Sequence, residues 1–309
     1  MGLRCLVGCV AARAAYPVVI ASAVAGAHVA LGGGAPPTAV VIVAFLATLA
    51  VASALERALP FAPRARPGRS EILGDLGYLG LAAALQPIGK SIGALAGGLA
   101  AVAVGGEGAG ATIPTWMKLA LALLSADLAK YALHRASHEW AWLFRFHAEH
   151  HAPDRLYALN GVRLHPVNLL WNLALDAAPV ALLGLDARSA ALLAVARGAV
   201  AVLQHTDADL RLGPLDWVFS TPTLHRFHHA TDLADANANY GSTLIVWDVL
   251  FGTRRLPRDR RAPAALGLAG GAAHPLGLRA ELLWPLCAPR AATCALLGRH
   301  HLRPPTRGA

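Results

Sequence analysis

Long apolar stretches limit this chain to few folds, because their length suits helices that cross a lipid bilayer. Such stretches occupy residues 17–32, 37–55, 72–104, 116–133 and 166–204. About 20 apolar residues of helix cross a hydrocarbon core about 30 Å thick. Of the 309 residues, 56% are hydrophobic and 15% are charged, a balance unlike that of a soluble protein. The sequence therefore predicts an all-α fold, an integral membrane helical bundle that forms a single domain over residues 1–309.

The distribution of charge orients the predicted bundle. The net charge of +9 comes from basic residues between and after the apolar stretches, as in cytoplasmic loops, and indicates no nucleic-acid-binding module. The basic linker 57–69 is therefore expected in the cytoplasm, and residues 105–114, with Glu107 and no basic residue, on the outer face. The predicted topology is a transmembrane hairpin 17–55, spans within 72–104 and 115–133, a second hairpin 166–204, and a basic membrane-surface tail 256–309.

Two of these segments admit alternatives. Arg4 and Arg13, followed by an apolar run, suit a signal peptide, but the second apolar run at 37–55 favours an uncleaved membrane anchor. The region 72–104 is longer than one straight span and contains Pro87 and Lys90. It is therefore either one kinked helix or a broken pair of helices.

Histidines form three clusters at the ends of the predicted spans. The clusters read H-R-A-S-H at 134–138, H-A-E-H-H at 147–151 and H-R-F-H-H at 225–229. Their spacings of three and four residues place the imidazoles of each cluster on one face of a helix. Together they contribute His134, His138, His147, His150, His151, His225, His228 and His229. His165 and His205 stand at the two ends of the hairpin 166–204, on the same predicted side.

This number of histidines favours more than one metal ion. Clustered neutral imidazoles suit iron, zinc, copper or nickel. One tetrahedral zinc ion is saturated by four ligands, whereas ten histidines are enough for two ions. Surface histidines that never converge are the alternative, but three clusters on one side favour a cytoplasmic helical cap with a histidine-rich di-metal site.

The order of these motifs resembles that of the fatty acid hydroxylase superfamily, also called the sterol desaturase family. The shared pattern continues with R-x-H-P at 163–166, Q-H at 204–205, N-Y-G at 239–241 and W-D-V-L-F-G-T at 247–253. It covers a catalytic region at 120–255 and is closest to bacterial members. The resemblance implies a non-haem di-iron centre, two Fe held by histidines, that uses O₂ to hydroxylate a fatty acyl, sterol-like or related apolar substrate.

The resemblance also implies roles for individual residues. The eight clustered histidines, His165 and His205 are expected as metal ligands, and no further catalytic residue is predicted. Val162 stands where sterol C5 desaturases have an additional histidine, which argues against a sterol substrate in particular. No cytochrome b5 module is present, so an external electron donor, a separate redox partner protein, is expected.

Polar residues near the histidines are candidates for supporting them. Asp127 lies seven residues before His134 on the same helical stripe, and its carboxylate is expected to accept a hydrogen bond from that ring. A solvated acid at a helix end is the alternative, although an acid inside an apolar span indicates a functional role. Asp207 and Asp232 are candidates of the same kind, and Asn239 is expected near the site entrance.

Three functions follow from the sequence. The first is a membrane-bound di-iron lipid hydroxylase, and the second is a lipid desaturase on the same scaffold, which differs only in the fate of the substrate radical. A non-catalytic metal-binding or transport protein is a different class, but a transporter places its ligands near the bilayer midplane. We expect a multi-pass protein of a bacterial inner membrane, with its site on the cytoplasmic side.

Overall fold

The computed structural model describes residues 3–62, 66–104, 112–259, 261–269, 274–275 and 277–287. Within these ranges the secondary structure is helical, apart from three isolated β-bridges. The prediction of an all-α membrane protein is confirmed.

The helices follow one another with short connections. In the described ranges they are α1 (Leu3–Gly32), α2 (Pro37–Ala58), α3 (Arg69–Ala103), α4 (Thr115–Glu139), α5 (Ala141–His151), α6 (Pro166–Leu182), α7 (Ala187–Gln204), α8 (Pro222–His228), α9 (Leu233–Ala236), α10 (Val246–Leu250) and α11 (Leu278–Cys287). Short 3₁₀ helices lie at Ala158–Val162 and Gly213–Trp217. Residues 72–103 of the long apolar region belong to the single helix α3, with Pro87 inside it, and Val104 is its C-cap.

Among the described residues, four helices are long and apolar enough to cross a membrane, namely α1 from Val10, α2, α3 and α7. In α1, α2 and α3 only 17%, 17% and 11% of the most apolar window is buried inside the protein, against 50% in α7. Their exposed side chains are apolar, for example Val29, Leu46 and Leu95, as lipid-facing residues must be. Helices α4 and α6 are not among the four, so crossings at 115–133 and in the first half of 166–204 stay predictions.

Packing places α7 at the centre of the bundle. Helix α7 lies against α1 and α2 around a core that includes Tyr16, Ala52, Val200 and Leu203. Helix α3 packs along α6, and α4 contacts both α6 and α7. Since α7 contacts both sets of helices, it joins the two halves of the bundle.

One end of the bundle gathers the loops and short helices. The loop after α2 meets the loop after α7, where Phe61 N donates to Asp207 O at 2.7 Å and Asp209 N donates to Leu59 O at 2.7 Å. The start of α1 lies at the same end, because Arg211 N donates to Ala12 O at 2.9 Å. This end of the bundle also carries the histidine clusters.

Candidate metal centre

Four helices bring the histidine clusters together. Helix α4 ends after His138, and Trp140 has an extended backbone (φ −113°, ψ 115°) that turns α5 back toward α4. Helix α8 begins at Pro222, after Thr221 caps it by accepting a hydrogen bond from Leu224 N at 3.4 Å. His205 directly follows α7 as its C-cap. The i, i+3, i+4 spacing places the histidines of α5 on one face of that helix and those of α8 on one face of the other, and these two faces meet.

The first histidine group contains five side chains whose ligand nitrogens all lie within 4.8 Å of one another: His134, His138, His147, His151 and His228. Three pairs of Nε2 atoms are close. They are His134 and His228 at 2.8 Å, His138 and His151 at 3.2 Å, and His147 and His151 at 3.1 Å. The clusters at 134–138, 147–151 and 225–229 all contribute to this group.

The second histidine group contains four side chains within the same 4.8 Å limit: His150, His205, His225 and His229. The Nε2 atoms of His205 and His225 are 2.9 Å apart, and those of His225 and His229 are 3.1 Å apart. The ring of His150 lies 4.7 Å from that of His229, between centroids. His205, at the end of α7, therefore completes a group whose other members come from the clusters at 147–151 and 225–229.

The two groups adjoin each other. His151 of the first group stacks on His229 of the second, with ring centroids 4.4 Å apart. The adjacent pairs His150–His151 and His228–His229 each give one ring to either group. Two ions, one in each group, would share a wall of imidazoles, as in a binuclear centre.

Hydrogen bonds to the outer ring nitrogens fix how two of these imidazoles face inward. Nδ1 of His134 lies 2.8 Å from Tyr240 O, and Nδ1 of His228 lies 2.7 Å from Ala238 O. A carbonyl oxygen only accepts, so both Nδ1 atoms carry the proton and donate it. In the neutral rings both Nε2 atoms then present bare lone pairs toward each other at 2.8 Å. This contact is repulsive unless a cation lies between the two nitrogens.

The spacing of the nitrogens fits a metal ion. With metal–nitrogen bonds of about 2.1 Å, two ligands at right angles lie about 3.0 Å apart. The close Nε2 pairs of both groups span 2.8 to 3.2 Å. Outer ring N–H groups that donate to backbone carbonyls are also typical of metal-bound histidines. The donor set of each group therefore fits one metal ion.

Burial keeps the histidines in the neutral form that binds metals. Eight of the nine are buried and His134 is partly buried. Burial lowers the pKa of His134 to about 4 and the pKa of His205 to about 3. For His225 and His229 burial, followed by the neighbouring imidazoles, holds the pKa well below its ordinary value. The groups thus compete poorly for protons and are ready to bind a cation at neutral pH.

His165, a predicted ligand, lies outside both groups. It is the N-cap of α6, where its Nδ1 accepts a hydrogen bond from Val167 N at 3.2 Å. Its Nε2 therefore carries the proton and lies 3.2 Å from Leu282 O. Both ring nitrogens of His165 are engaged in contacts that hold the chain together.

Asp127 supports the first group through a loop rather than through His134 itself. Its buried carboxylate accepts hydrogen bonds from Thr243 N at 2.8 Å and Leu244 N at 3.1 Å. Seven residues of helix span about 10.5 Å, too far for an aspartate side chain to bridge. The loop that Asp127 holds begins near Tyr240, whose carbonyl accepts from His134.

The other predicted supporting residues have different partners. Asn239 has a left-handed backbone (φ 57°), and its Nδ2 donates to Leu224 O at 3.1 Å and to Arg255 O at 2.8 Å. Asp207 pairs with Arg226 at 3.5 Å, and Asp232 caps α9 by accepting from Ala234 N at 2.8 Å. Asn239 thus fastens the first turn of α8 to the segment after α10, and Asp232 stabilises a surface turn.

Several residues that support the histidines are not among those predicted from the sequence. Asn160 Oδ1 lies 3.2 Å from Nδ1 of His205, and Asn237 Oδ1 lies 3.3 Å from Nδ1 of His138. The carboxylate of Asp248 accepts from Tyr240 N at 2.8 Å and from Gly241 N at 2.7 Å. Asn237 stands two residues before the N-Y-G motif and Asp248 lies within the W-D-V-L-F-G-T motif, so their positions beside these motifs are the sequence signals for their roles.

A small pocket reaches the first group from the surface. It is bounded by His138 and His151 and by a mostly apolar wall of Phe144, Ala230, Leu233, Ala236, Asn237 and Leu268, among others. No charged side chain lines it. Its free volume is about 10 Å³, room for about one water molecule, so it forms a narrow, mostly apolar crevice beside the histidines.

Comparisons with known proteins agree with this arrangement. Residues 119–253, which include all nine histidines of the two groups, match the family model described as Fatty acid hydroxylase. The resemblance predicted from the histidine motifs is confirmed. No solved structure matches the chain.

Curated relatives include lipid-oxidising proteins. The chain is 38% identical over 172 residues to ornithine lipid hydroxylase OlsE from Rhizobium tropici, covering 56% of this chain and 51% of the relative. It is 31% identical over 166 residues to alkylglycerol monooxygenase from Danio rerio, covering 53% of this chain and 34% of the relative. The human alkylglycerol monooxygenase is 30% identical over 142 residues, covering 45% of this chain and 30% of that protein. The chain spans about half the length of the first relative and about a third of the others.

Proposed function

We propose that this chain, whose residues 119–253 match the fatty acid hydroxylase family, is a membrane-bound non-haem di-iron oxygenase that hydroxylates a lipid with O₂. The observation that carries the proposal is the pair of adjoining all-imidazole groups, each suited to one ion. An isolated structural zinc site needs four ligands and no neighbour. A binuclear pair inside a hydroxylase domain is better explained by oxygen chemistry.

Iron is the metal that best fits both the donor set and the family. Imidazole ligands suit iron, zinc, copper and nickel, and they disfavour magnesium and calcium. The relatives are named as a hydroxylase and a monooxygenase, and a metal ion that activates O₂ must change its oxidation state, which zinc does not. When bound, the two irons supply the activation of O₂ for attack on an unactivated C–H bond.

The residues of this chain have three tasks in such a reaction. Their inner nitrogens bind the ions, while Tyr240 O, Ala238 O and the two asparagine side chains orient the rings from outside. Burial of eight of the nine histidines, with His134 partly buried, limits the access of water to the centre. The mostly apolar wall of the crevice beside His138 and His151 bounds the first group on that side.

A lipid is the proposed substrate class. Ornithine lipid and alkylglycerol are both lipids, and they are the substrates named for the relatives. The four candidate membrane spans among the described residues support a domain beside a bilayer, from which an apolar substrate enters sideways. The overall reaction takes a C–H group, O₂, two electrons and two protons to an alcohol and water. A separate redox partner protein supplies the electrons.

The proposed location is a bacterial inner membrane, with several passes and the centre on the cytoplasmic side. The basic linker after α2 supports this orientation, since cytoplasmic loops are rich in arginine. That linker and the centre occupy the same end of the bundle, because Glu56 near the end of α2 accepts hydrogen bonds from Ala158 N at 2.6 Å and Asp207 N at 3.1 Å.

The function is tested by comparing lipid extracts of cells that do and do not produce the protein, by mass spectrometry. We expect a lipid species that has gained one oxygen atom and that carries ¹⁸O when cells grow under ¹⁸O₂. A His225→Ala variant should lack this product, whereas His28→Ala, far from the centre, should retain it. A product that has lost two hydrogens instead would make the protein a desaturase. No O₂-dependent lipid product would refute the proposal.

A further inference from the structure

A buried ionic cluster joins three helices beside the second histidine group. The Arg163 guanidinium donates to Glu149 Oε1 at 3.1 Å and to Glu281 Oε1 at 2.8 Å through one terminal nitrogen, and to Asp75 Oδ1 at 3.3 Å through the other. The side chains of the three acids are between 0% and 5% exposed, and that of Arg163 is 13% exposed. The acids belong to α5, α11 and α3, so one arginine holds three separate elements.

The main chain of Arg163 contacts the metal centre directly. Its carbonyl oxygen lies 3.3 Å from Nδ1 of His150, which belongs to the second histidine group. A carbonyl only accepts, so His150 donates from Nδ1 and presents Nε2 to the ion. Glu149, which Arg163 also holds, directly precedes His150 in α5. The position of Arg163 therefore affects His150 by two routes, the carbonyl contact and the rotation of α5.

Helix α11 completes this cluster from outside the region that matches the family. Glu281 receives three donors, since Gly277 N binds Oε1 at 3.2 Å and Tyr78 Oη binds Oε2 at 3.0 Å in addition to Arg163. Nearby, Nε2 of His165 donates to Leu282 O at 3.2 Å. Because breaking a buried ion pair leaves an uncompensated charge, a cluster of this kind specifies one arrangement of its helices.

We propose that Arg163 and Glu281 are positioning residues for His150, which makes α11 part of the support of the second metal ion. The inference rests on the proposed di-iron function and deepens it. Neither residue touches the ions or the substrate. The hydrogen bond to Glu281 fixes the position of the Arg163 guanidinium. The position of Arg163 in turn sets the direction of its own carbonyl, which accepts the hydrogen bond from His150. Arginine suits this task because its planar, forked donors bind several carboxylates in one geometry, which lysine does not.

The test measures metal binding by purified full-length protein with Co²⁺ as a visible probe and a competing chelator. Wild-type protein should bind two Co²⁺ ions. Glu281→Gln should keep the affinity of one ion and weaken that of the other by roughly 10-fold or more, as is typical when an outer partner of a metal ligand is removed. The Co²⁺ absorption bands of the weakened site should also shift. The milder variant Tyr78→Phe, which removes one hydrogen bond to Glu281, should act in the same direction with a smaller effect.

Glu139→Gln is the matched control, because Glu139 forms an ion pair with Arg135 in which both side chains are 40% exposed. It should bind both ions like wild type. The positioning role is refuted if Glu281→Gln and Tyr78→Phe leave the affinities of both ions unchanged. It is also refuted if both affinities fall equally together with the melting temperature, because that result indicates a general loss of stability. Wild-type protein that binds fewer than two ions would refute the di-iron proposal itself, and the inference with it.

Discussion

Replacing Gly93 with alanine should loosen the packing of α3 against α6. A Cβ atom built at Gly93 lies 2.2 Å from Ala174 O and 2.8 Å from Ala174 Cα. Gly97, one turn later, is in the same situation, with its Cβ position 2.1 Å from Ala178 O. Carbon and oxygen atoms in contact normally lie at about 3.3 Å or more, so the two backbones must move apart by about 1 Å.

The size of the effect follows from this overlap. Inserting a methyl group into a well-packed interface costs about 1–3 kcal/mol, and each kcal/mol lowers Tm by roughly 2–4 °C in a chain of a few hundred residues. Gly93→Ala should therefore melt about 2–12 °C below wild type. Close approach of small residues matters more in lipid than in water, because hydrophobic burial does not drive helices together there.

Gly98→Ala is the matched control in the same helix. A Cβ at Gly98 meets no atom within 4 Å, and alanine favours a helix over glycine by up to about 1 kcal/mol. This variant should melt at or slightly above the wild-type temperature. Thermal unfolding followed by circular dichroism in one detergent, at equal metal loading, compares the three proteins. Equal melting temperatures for Gly93→Ala and Gly98→Ala would show that the close approach of α3 and α6 is wrong.

Three further predictions concern the metal centre. Asp127→Asn should cost about 1–3 kcal/mol of stability, because an amide offers one acceptor where Thr243 N and Leu244 N need two. In metal analysis this variant should also retain less iron than Asp232→Asn, which changes an exposed helix cap. Metal-free protein should lose stability as pH falls below about 6.5. Burial lowers the pKa of His134 to about 4 and that of His205 to about 3, so the unfolded chain binds more protons than the folded chain in this range. A denaturant midpoint that does not change between pH 7.5 and pH 5.5 would contradict this. Removal of the bound metal by a chelator should lower Tm. Fe²⁺ should restore it and Mg²⁺ should not, because imidazole is a poor ligand for magnesium. Recovery with Mg²⁺ would argue against histidine ligation.

The sequence predicted those parts of the molecule that depend on local spacing. Apolar runs gave the membrane helices, and the i, i+3, i+4 pattern placed His147, His150 and His151 on one face of α5. The family resemblance, confirmed by the match over 119–253, rests on the same local motifs. The division into a five-histidine and a four-histidine group did not follow from the sequence, because His150 and His151 are neighbours in the chain and yet belong to different groups.

Contacts with backbone groups and distant residues could not be predicted from spacing. His134, His228 and His150 are oriented by carbonyl oxygens, which every residue has and no motif marks. Asp127 was recognised as an unusual acid, but its partners lie more than 100 positions away in the loop before α10. His165 shares a motif with the ligands, yet its position at the start of α6 turns it toward Leu282. In each case tertiary packing decides the partner.

Metal content is the most direct test of the central claim, that two adjoining histidine groups each hold one iron. Protein purified without oxygen should retain two irons per chain. His228→Ala in the first group and His225→Ala in the second should each retain about one. His28→Ala should retain two, because His28 contacts Arg188 and lies about 24 Å along α1 from the end that carries the centre. Wild-type protein without bound iron, or ligand variants that keep both irons, would contradict the claim.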